Sequence, residues 1–114
     1  MNADLSFGSY GLKSLGAAHI RATQIEAVRR VIIRRIRKIG HIFIRTFPYK
    51  PISEKPTKTR MGKGKGSVQY FACPVKPGQV LFEIDGGIER GMAKEILERA
   101  GQKLPILTKF ISDS

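Results

Sequence analysis

The sequence predicts one domain that combines two helices with a set of short strands, and three observations carry that expectation. A helix-capping signature followed by helical periodicity opens at Thr23. Two runs rich in β-forming residues flank the turn Lys76-Pro77-Gly78-Gln79. A second helical pattern, with mixed charges, spans Glu89 to Gln102. A length of 114 residues suits a single unit, 1–114, with one modest core, and 41% hydrophobic residues is a globular composition.

Taken in order, Leu5 to Leu15 alternate weakly and contain two glycines, which reads as one or two short strands with a turn. Thr23-Gln24-Ile25-Glu26 fits a capping box, in which the hydroxyl caps a backbone N–H and the carboxylate reaches back to the cap residue. The helix should run to about Ile39, with Gly40 ending it. At about 100° per residue, Ile25, Val28, Ile32, Ile36 and Ile39 share one arc. Arg30, Arg34, Arg37 and Lys38 lie opposite, with Arg29 and Arg35 on the flanks.

His41 to Phe47 should form a strand. From Pro48 to Gly66 the apolar periodicity disappears, and Pro48, Pro51 and Pro56 oppose a helix or a central strand, so this stretch reads as a long basic loop. Loops of that length inside a domain are usually functional or disordered. Val68–Val75 and Val80–Ile84 should be partner strands around a type II turn with Pro second and Gly third. The second helix turns Met92, Ala93, Ile96, Leu97 and Ala100 to the core and reads as scaffold, and Ile106–Ile111 is a last strand.

Charge then points to a class of partner. The chain has 21 Lys or Arg against nine Asp or Glu, a formal net charge of +12. Between Arg21 and Lys65 there are fourteen basic residues and two acids, Glu26 and Glu54, so this stretch holds the whole excess. A surface built only for solubility would mix its signs. Concentrated positive charge is what release of counterions from a phosphate backbone rewards. The segment from Arg29 to Lys38 carries six cations and no acid, a repulsion that a bound anion would relieve. Candidate contacts to an RNA backbone are Arg29, Arg30, Arg34, Arg35, Arg37, Lys38, Arg45, Lys50, Lys55 and Lys58.

Gly62-Lys63-Gly64-Lys65-Gly66-Ser67 has the look of a nucleotide-binding phosphate loop but not its spacing, because Gly66 separates Lys65 from Ser67 and a strand follows. Its alternating glycines still allow close backbone approach to a ligand, with lysines supplying charge. No catalytic constellation is visible. His19 and His41 stand apart without a nearby acid, and Cys and His are too few for a metal site. No metal or cofactor is expected. The lone Cys73, in an apolar run, reads as a buried structural thiol. Phe43, Phe47, Tyr70, Phe71 and Phe82 mostly fit strand interiors, so recognition should rest on phosphate contacts and RNA shape rather than on stacking.

Two other classes fit parts of this pattern. A basic amphipathic helix over Gln24–Ile39 could serve a peripheral membrane or general polyanion-binding module, although its apolar face is needed for the core. An enzyme acting on RNA would need an acid–base pair that the sequence does not offer.

The chain resembles the universal large-subunit ribosomal protein family of the bacterial L-sixteen type, the counterpart of the archaeal and eukaryotic L-ten-e proteins. The residues that carry the resemblance run from Leu5-Ser6-Phe7-Gly8-Ser9-Tyr10-Gly11-Leu12-Lys13 through Gln24-Ile25-Glu26-Ala27 with Arg29-Arg30, then Phe47-Pro48-Tyr49-Lys50-Pro51. Lys55-Pro56 with Arg60-Met61-Gly62-Lys63-Gly64-Lys65-Gly66 is its most specific part. Val75-Lys76-Pro77-Gly78, Glu83-Ile84-Asp85-Gly86 and Lys103-Leu104-Pro105-Ile106 follow in family order.

The resemblance implies an α+β fold of the hammerhead type, with two helices packed on a mostly antiparallel sheet. It implies a structural constituent of the large ribosomal subunit, not an enzyme, bound to ribosomal RNA at the base of the central protuberance. The loop Arg60, Met61, Gly62, Lys63, Gly64, Lys65, Gly66 would face the transfer RNA path near the peptidyl transferase centre. Expected partners are large-subunit ribosomal RNA, tRNA and neighbouring ribosomal proteins, with no membrane and no homo-oligomer. Family members carry a longer basic tail ahead of the first strand, and the resemblance here begins almost at once. The short start and the many isoleucines point to an organelle-encoded, mitochondrial protein, with a bacterial one as the alternative.

Overall fold

The computed structural model describes residues 5–36, 39–54 and 68–112. In chain order these form β1 (Tyr10–Ser14), β2 (Ala18–Arg21), α1 (Ala22–Ile36), β3 (His41–Ile44), β4 (Lys50–Glu54), β5 (Val68–Val75), β6 (Val80–Asp85), α2 (Arg90–Gly101) and β7 (Thr108–Ser112). Two sheets result, one ordered β3-β6-β1-β7 and the other β2-β5-β4, and every described pairing in them is antiparallel. The fold is α+β, as expected.

The most apolar strand takes the most enclosed place. β6 is buried from Val80 to Ile84 and lies between β3 and β1. Leu12 of β1 is in register with Phe82 of β6 on one side and Phe110 of β7 on the other, so one row of side chains faces α2. Helix α1 packs against α2 and also against β2, β3 and β5, so it bridges the two sheets. Its Ile25, Val28, Ile32 and Ile36 are buried, as the periodicity predicts, whereas Ile39, expected on the same arc, is half exposed. They meet Ile20, Cys73 and Val75 of the small sheet and Ile96 and Leu97 of α2 in one apolar cluster. The thiol of Cys73 is buried and free, and loss of hydration pushes its pKa up.

The turn at Lys76–Gln79 forms as expected. Gly78 has φ +89, and the N–H of Gln79 donates to the carbonyl of Lys76. Three local features depart from the sequence expectation. Helix α1 begins at Ala22, and its reach-back bond runs from the backbone N–H of Arg21 to Gln24 Oε1 at 2.8 Å, two residues ahead of the expected Thr23–Glu26 frame. By contrast, the described part of α1 ends at Ile36, and Ile39 and Gly40 both donate to the Ile36 carbonyl, which fits a helix ended by Gly40. β2 was not legible, because a four-residue strand owes its existence to its partner β5. β4 lies within the stretch expected to be loop. It contains Pro51, which is compatible with a strand at the edge of its sheet.

Gly40 owes its identity to a close approach, since a Cβ there would lie 2.7 Å from the Asp85 carbonyl oxygen. Gly86, at φ +114, faces the same crossing, where a Cβ would meet the Gly40 Cα and the Ile39 carbonyl at 2.5 Å.

Candidate nucleic-acid interface

Helix α1 divides its surface as the sequence requires. The apolar stripe is consumed by the core, which leaves the arginines outward and removes the exposed apolar face that membrane docking would need. Among the described residues no helix is long and apolar enough to cross a membrane.

The arginines are not equivalent. Arg29 forks onto Glu26, with Nε to Oε1 at 2.9 Å and Nη2 to Oε2 at 2.6 Å, and Arg30 adds a bond from Nε at 3.2 Å. The hydrogen bond from Arg29 leads in holding the Glu26 carboxyl down, to about 2, and partial desolvation opposes it. The repulsion inferred for the whole run is therefore relieved in its first turn by an acid three and four residues upstream. It persists at Arg34 and Arg35, which are exposed and have no carboxylate partner among the described residues.

These two arginines do not stand alone. With Val31, Arg99, Gln102 and Lys103 they line a cleft of about 450 Å³ between the ends of α1 and α2. Four cationic side chains converge there and no carboxylate lines the wall; Arg99 makes only a long 3.5 Å contact to Glu95. Arg34, Arg35 and Arg99 occupy last helical turns, where a cation offsets the helix dipole by about 0.3–1 kcal/mol. That accounts for each residue singly but not for their gathering with Lys103. The sequence expectation that α2 is plain scaffold missed Arg99 and Lys103. Their charges are balanced along the chain by Glu95 and Glu98, and only the packing of α2 on α1 sorts them.

Arg45 has a different task. Its Nη1 donates to Oε2 of Glu83 at 2.7 Å, and Glu83 is fully buried. The N–H groups of Phe7 and Gly8 each donate to Glu83 Oε1 at 2.7 Å, and that of Ser6 at 3.1 Å. Burial works to raise the Glu83 pKa, but the three backbone donors and Arg45 outweigh it and hold the carboxyl below its ordinary range. Glu83 thus fastens the segment ahead of β1 to the middle of the large sheet. A single acid inside an apolar strand was the signal that could have found it.

Lys50 is exposed at the start of β4, in register with Ala72 and across β5 from Arg21. Arg37, Lys38, Lys55, Lys58 and the glycine-lysine loop from Arg60 to Gly66 lie outside the described residues. The expectation that these rings mostly fill strand interiors holds for Phe82, which is buried, and fails for Phe47 and Phe71, which are 72% and 55% exposed. Phe47 lies between β3 and β4, outside either sheet, and Phe71 stands where β5 runs past the end of β2, and alternation along a strand reveals neither. Among the described residues no group of His, Cys, Asp and Glu could hold a metal ion.

Residues 1–111 match the family model described as Ribosomal protein L16p/L10e. The chain belongs to the ribosomal protein L16p/L10e family. It is 52% identical over 108 residues to the large ribosomal subunit protein uL16 of Maricaulis maris (strain MCS10), a match covering 95% of this chain and 78% of that protein. The uL16 protein of Chelativorans sp. (strain BNC1) matches at the same identity and coverage. As an L16p/L10e protein the chain is a structural constituent of the large ribosomal subunit rather than an enzyme, and it works at the ribosome among ribosomal RNA and other ribosomal proteins. Both relatives are bacterial, so they favour the bacterial alternative and lend no support to an organelle-encoded chain.

Proposed function

We propose that the chain grips large-subunit ribosomal RNA by its phosphate backbone along a face that starts on α1 and continues onto the end of α2. The observation that carries this reading is the cleft in which Arg34, Arg35, Arg99 and Lys103 converge without a carboxylate. Such a site is repulsive when empty and is relieved by a polyanion. Arg29 and Arg30 flank it with their charge partly offset by Glu26, and Lys50 adds a cation on the small sheet. Arg45 is committed first to Glu83. The family resemblance extends the reading to a place at the base of the central protuberance, with Arg60, Lys63 and Lys65 facing tRNA near the peptidyl transferase centre. It also supports a single copy per subunit, held among neighbouring proteins.

The test is the salt dependence of binding to large-subunit ribosomal RNA. Each lost phosphate contact should lower the log–log slope by roughly 0.7–0.9. Arg34→Ala with Arg35→Ala should therefore reduce the slope by between one and two such steps. An unchanged slope, with the protein folded, would remove the cleft from the interface.

A further inference from the structure

We infer that the edge of the small sheet holds a second kind of RNA contact, a pocket that takes one unpaired nucleobase between Phe71 and the Arg21–Tyr70 pair. This rests on the RNA-binding reading and adds to it a chemistry that phosphate contacts do not supply.

The pocket follows from where the strands end. β2 stops at Arg21, opposite Ala72, while β5 reaches back to Val68, so from Val68 to Phe71 that edge of β5 has no strand partner among the described residues. A cavity of about 250 Å³ wraps this edge, lined by Arg21, Ala22, Thr23, Tyr70 and Phe71. Because neighbouring side chains on a strand point to opposite faces, only a site around an open edge can be lined by both Tyr70 and Phe71. The volume lies below the usual range for whole small-molecule ligands, which suits a single ring system rather than a complete nucleotide.

Its walls favour a flat aromatic guest on an anionic chain. Phe71 alternates onto the same side as the buried Cys73 and Val75, yet its ring is 55% exposed. Tyr70 is half-buried, with the Arg21 guanidinium 3.8 Å from its ring centroid, which presents a fixed cationic plane at the rim. No acid lines the cavity. Other exposed rings lie ahead of β4, the strand on the other edge of β5. Pro51 stands opposite Phe71, and just ahead of it Phe47 and Tyr49 flank Pro48, with the N–H of Tyr49 bonded to the Phe47 carbonyl at 2.9 Å. A single exposed ring needs no explanation by itself, but one that shares an acid-free cavity with a second ring and a guanidinium does. Stacking on unpaired bases is how proteins use such rings beside Lys and Arg. An aliphatic side chain of a protein partner would gain nothing from the charge of the arginine plane.

The chain has no tryptophan, so Phe71→Trp installs a single fluorescent ring at the site. The full chain carrying this substitution is titrated with a mixed-sequence single-stranded RNA and with an abasic strand of equal phosphate number. The expected result is quenching by the first and not by the second. Phe71→Ala should weaken binding of the base-containing strand by roughly 5- to 150-fold, the range for one stacked base, and leave the abasic strand unaffected. Equal quenching by both strands, or by neither, while ribosomal RNA is still retained would overturn the pocket and leave the phosphate-binding reading intact. Unaltered RNA affinity in Phe71→Ala combined with poorer incorporation into reconstituted large subunits would assign the rings to a protein neighbour instead, and would also overturn it. Failure to retain ribosomal RNA at all would defeat both readings.

Discussion

Glu83 concentrates more of the fold's polar energetics than any other described residue. A carboxylate with no exposed surface is tolerable only when its oxygens are saturated, and here three successive backbone N–H groups and Arg45 do so. Gly8 makes this possible, since a Cβ there would lie 2.5 Å from the Ile84 carbonyl oxygen. Glu83→Ala should cost about 3–5 kcal/mol in urea unfolding, because it strands the donors that face it. The pH dependence has a definite sign. The folded pKa lies below the ordinary value of 4.5, so the carboxylate contributes stability above that value and the contribution is lost as pH falls through the folded pKa. Glu26 titrates in the same direction but is only half-buried and can be screened by salt, whereas the buried pair is screened much less. At high salt, the fall in urea midpoint below about pH 4.5 should therefore be shallower in Glu83→Gln than in the parent chain. Equal acid sensitivity in the two proteins would show that the pair does not govern acid unfolding.

At the level of elements, the crossing of Gly40 and Gly86 sets how the end of α1 meets the end of β6. Each glycine lets the other's backbone approach, and Gly86 also uses a φ of +114 that a side chain would resist. Gly86→Ala combines that strain with overpacking, and should lower stability by about 2–4 kcal/mol and shift the exit of α1, measurable as a lower unfolding temperature. Legibility in the sequence followed the origin of each element. α1, α2, β5, β6 and the Gly78 turn were readable because periodicity and turn chemistry are local, and Ile25, Val28, Ile32 and Ile36 announce their own burial. β2 and β4 were not, since both are short and are defined by pairing with β5. The site divided in the same way. The arginines of α1 could be read from spacing alone, whereas Arg99, Lys103 and the rings at the small-sheet edge acquire their meaning only from what the fold brings beside them.

At the level of the molecule, the question is whether its positive charge acts as one surface or as several. The whole net charge of +12 falls between Arg21 and Lys65, yet the cleft is completed by Arg99 and Lys103 from outside that stretch. Those two belong to a segment whose charges otherwise cancel, so their value to a polyanion comes from position and not from local excess. This separates a geometric interface from diffuse attraction. If only net charge mattered, Arg99→Ala with Lys103→Ala and Lys94→Ala with Lys109→Ala would weaken RNA binding alike, since each pair removes two positive charges. If the cleft is the contact, the first pair should lower the salt slope by up to roughly 1.4–1.8 and the second by much less. Lys63→Ala with Lys65→Ala provides the third arm, in the glycine-lysine loop. When loop and cleft engage one RNA together, the reductions should add in a chain carrying both changes, because each phosphate neutralised releases its own counterions. A combined slope no lower than that of the loop variant would mean that the cleft does not touch RNA once the loop is bound.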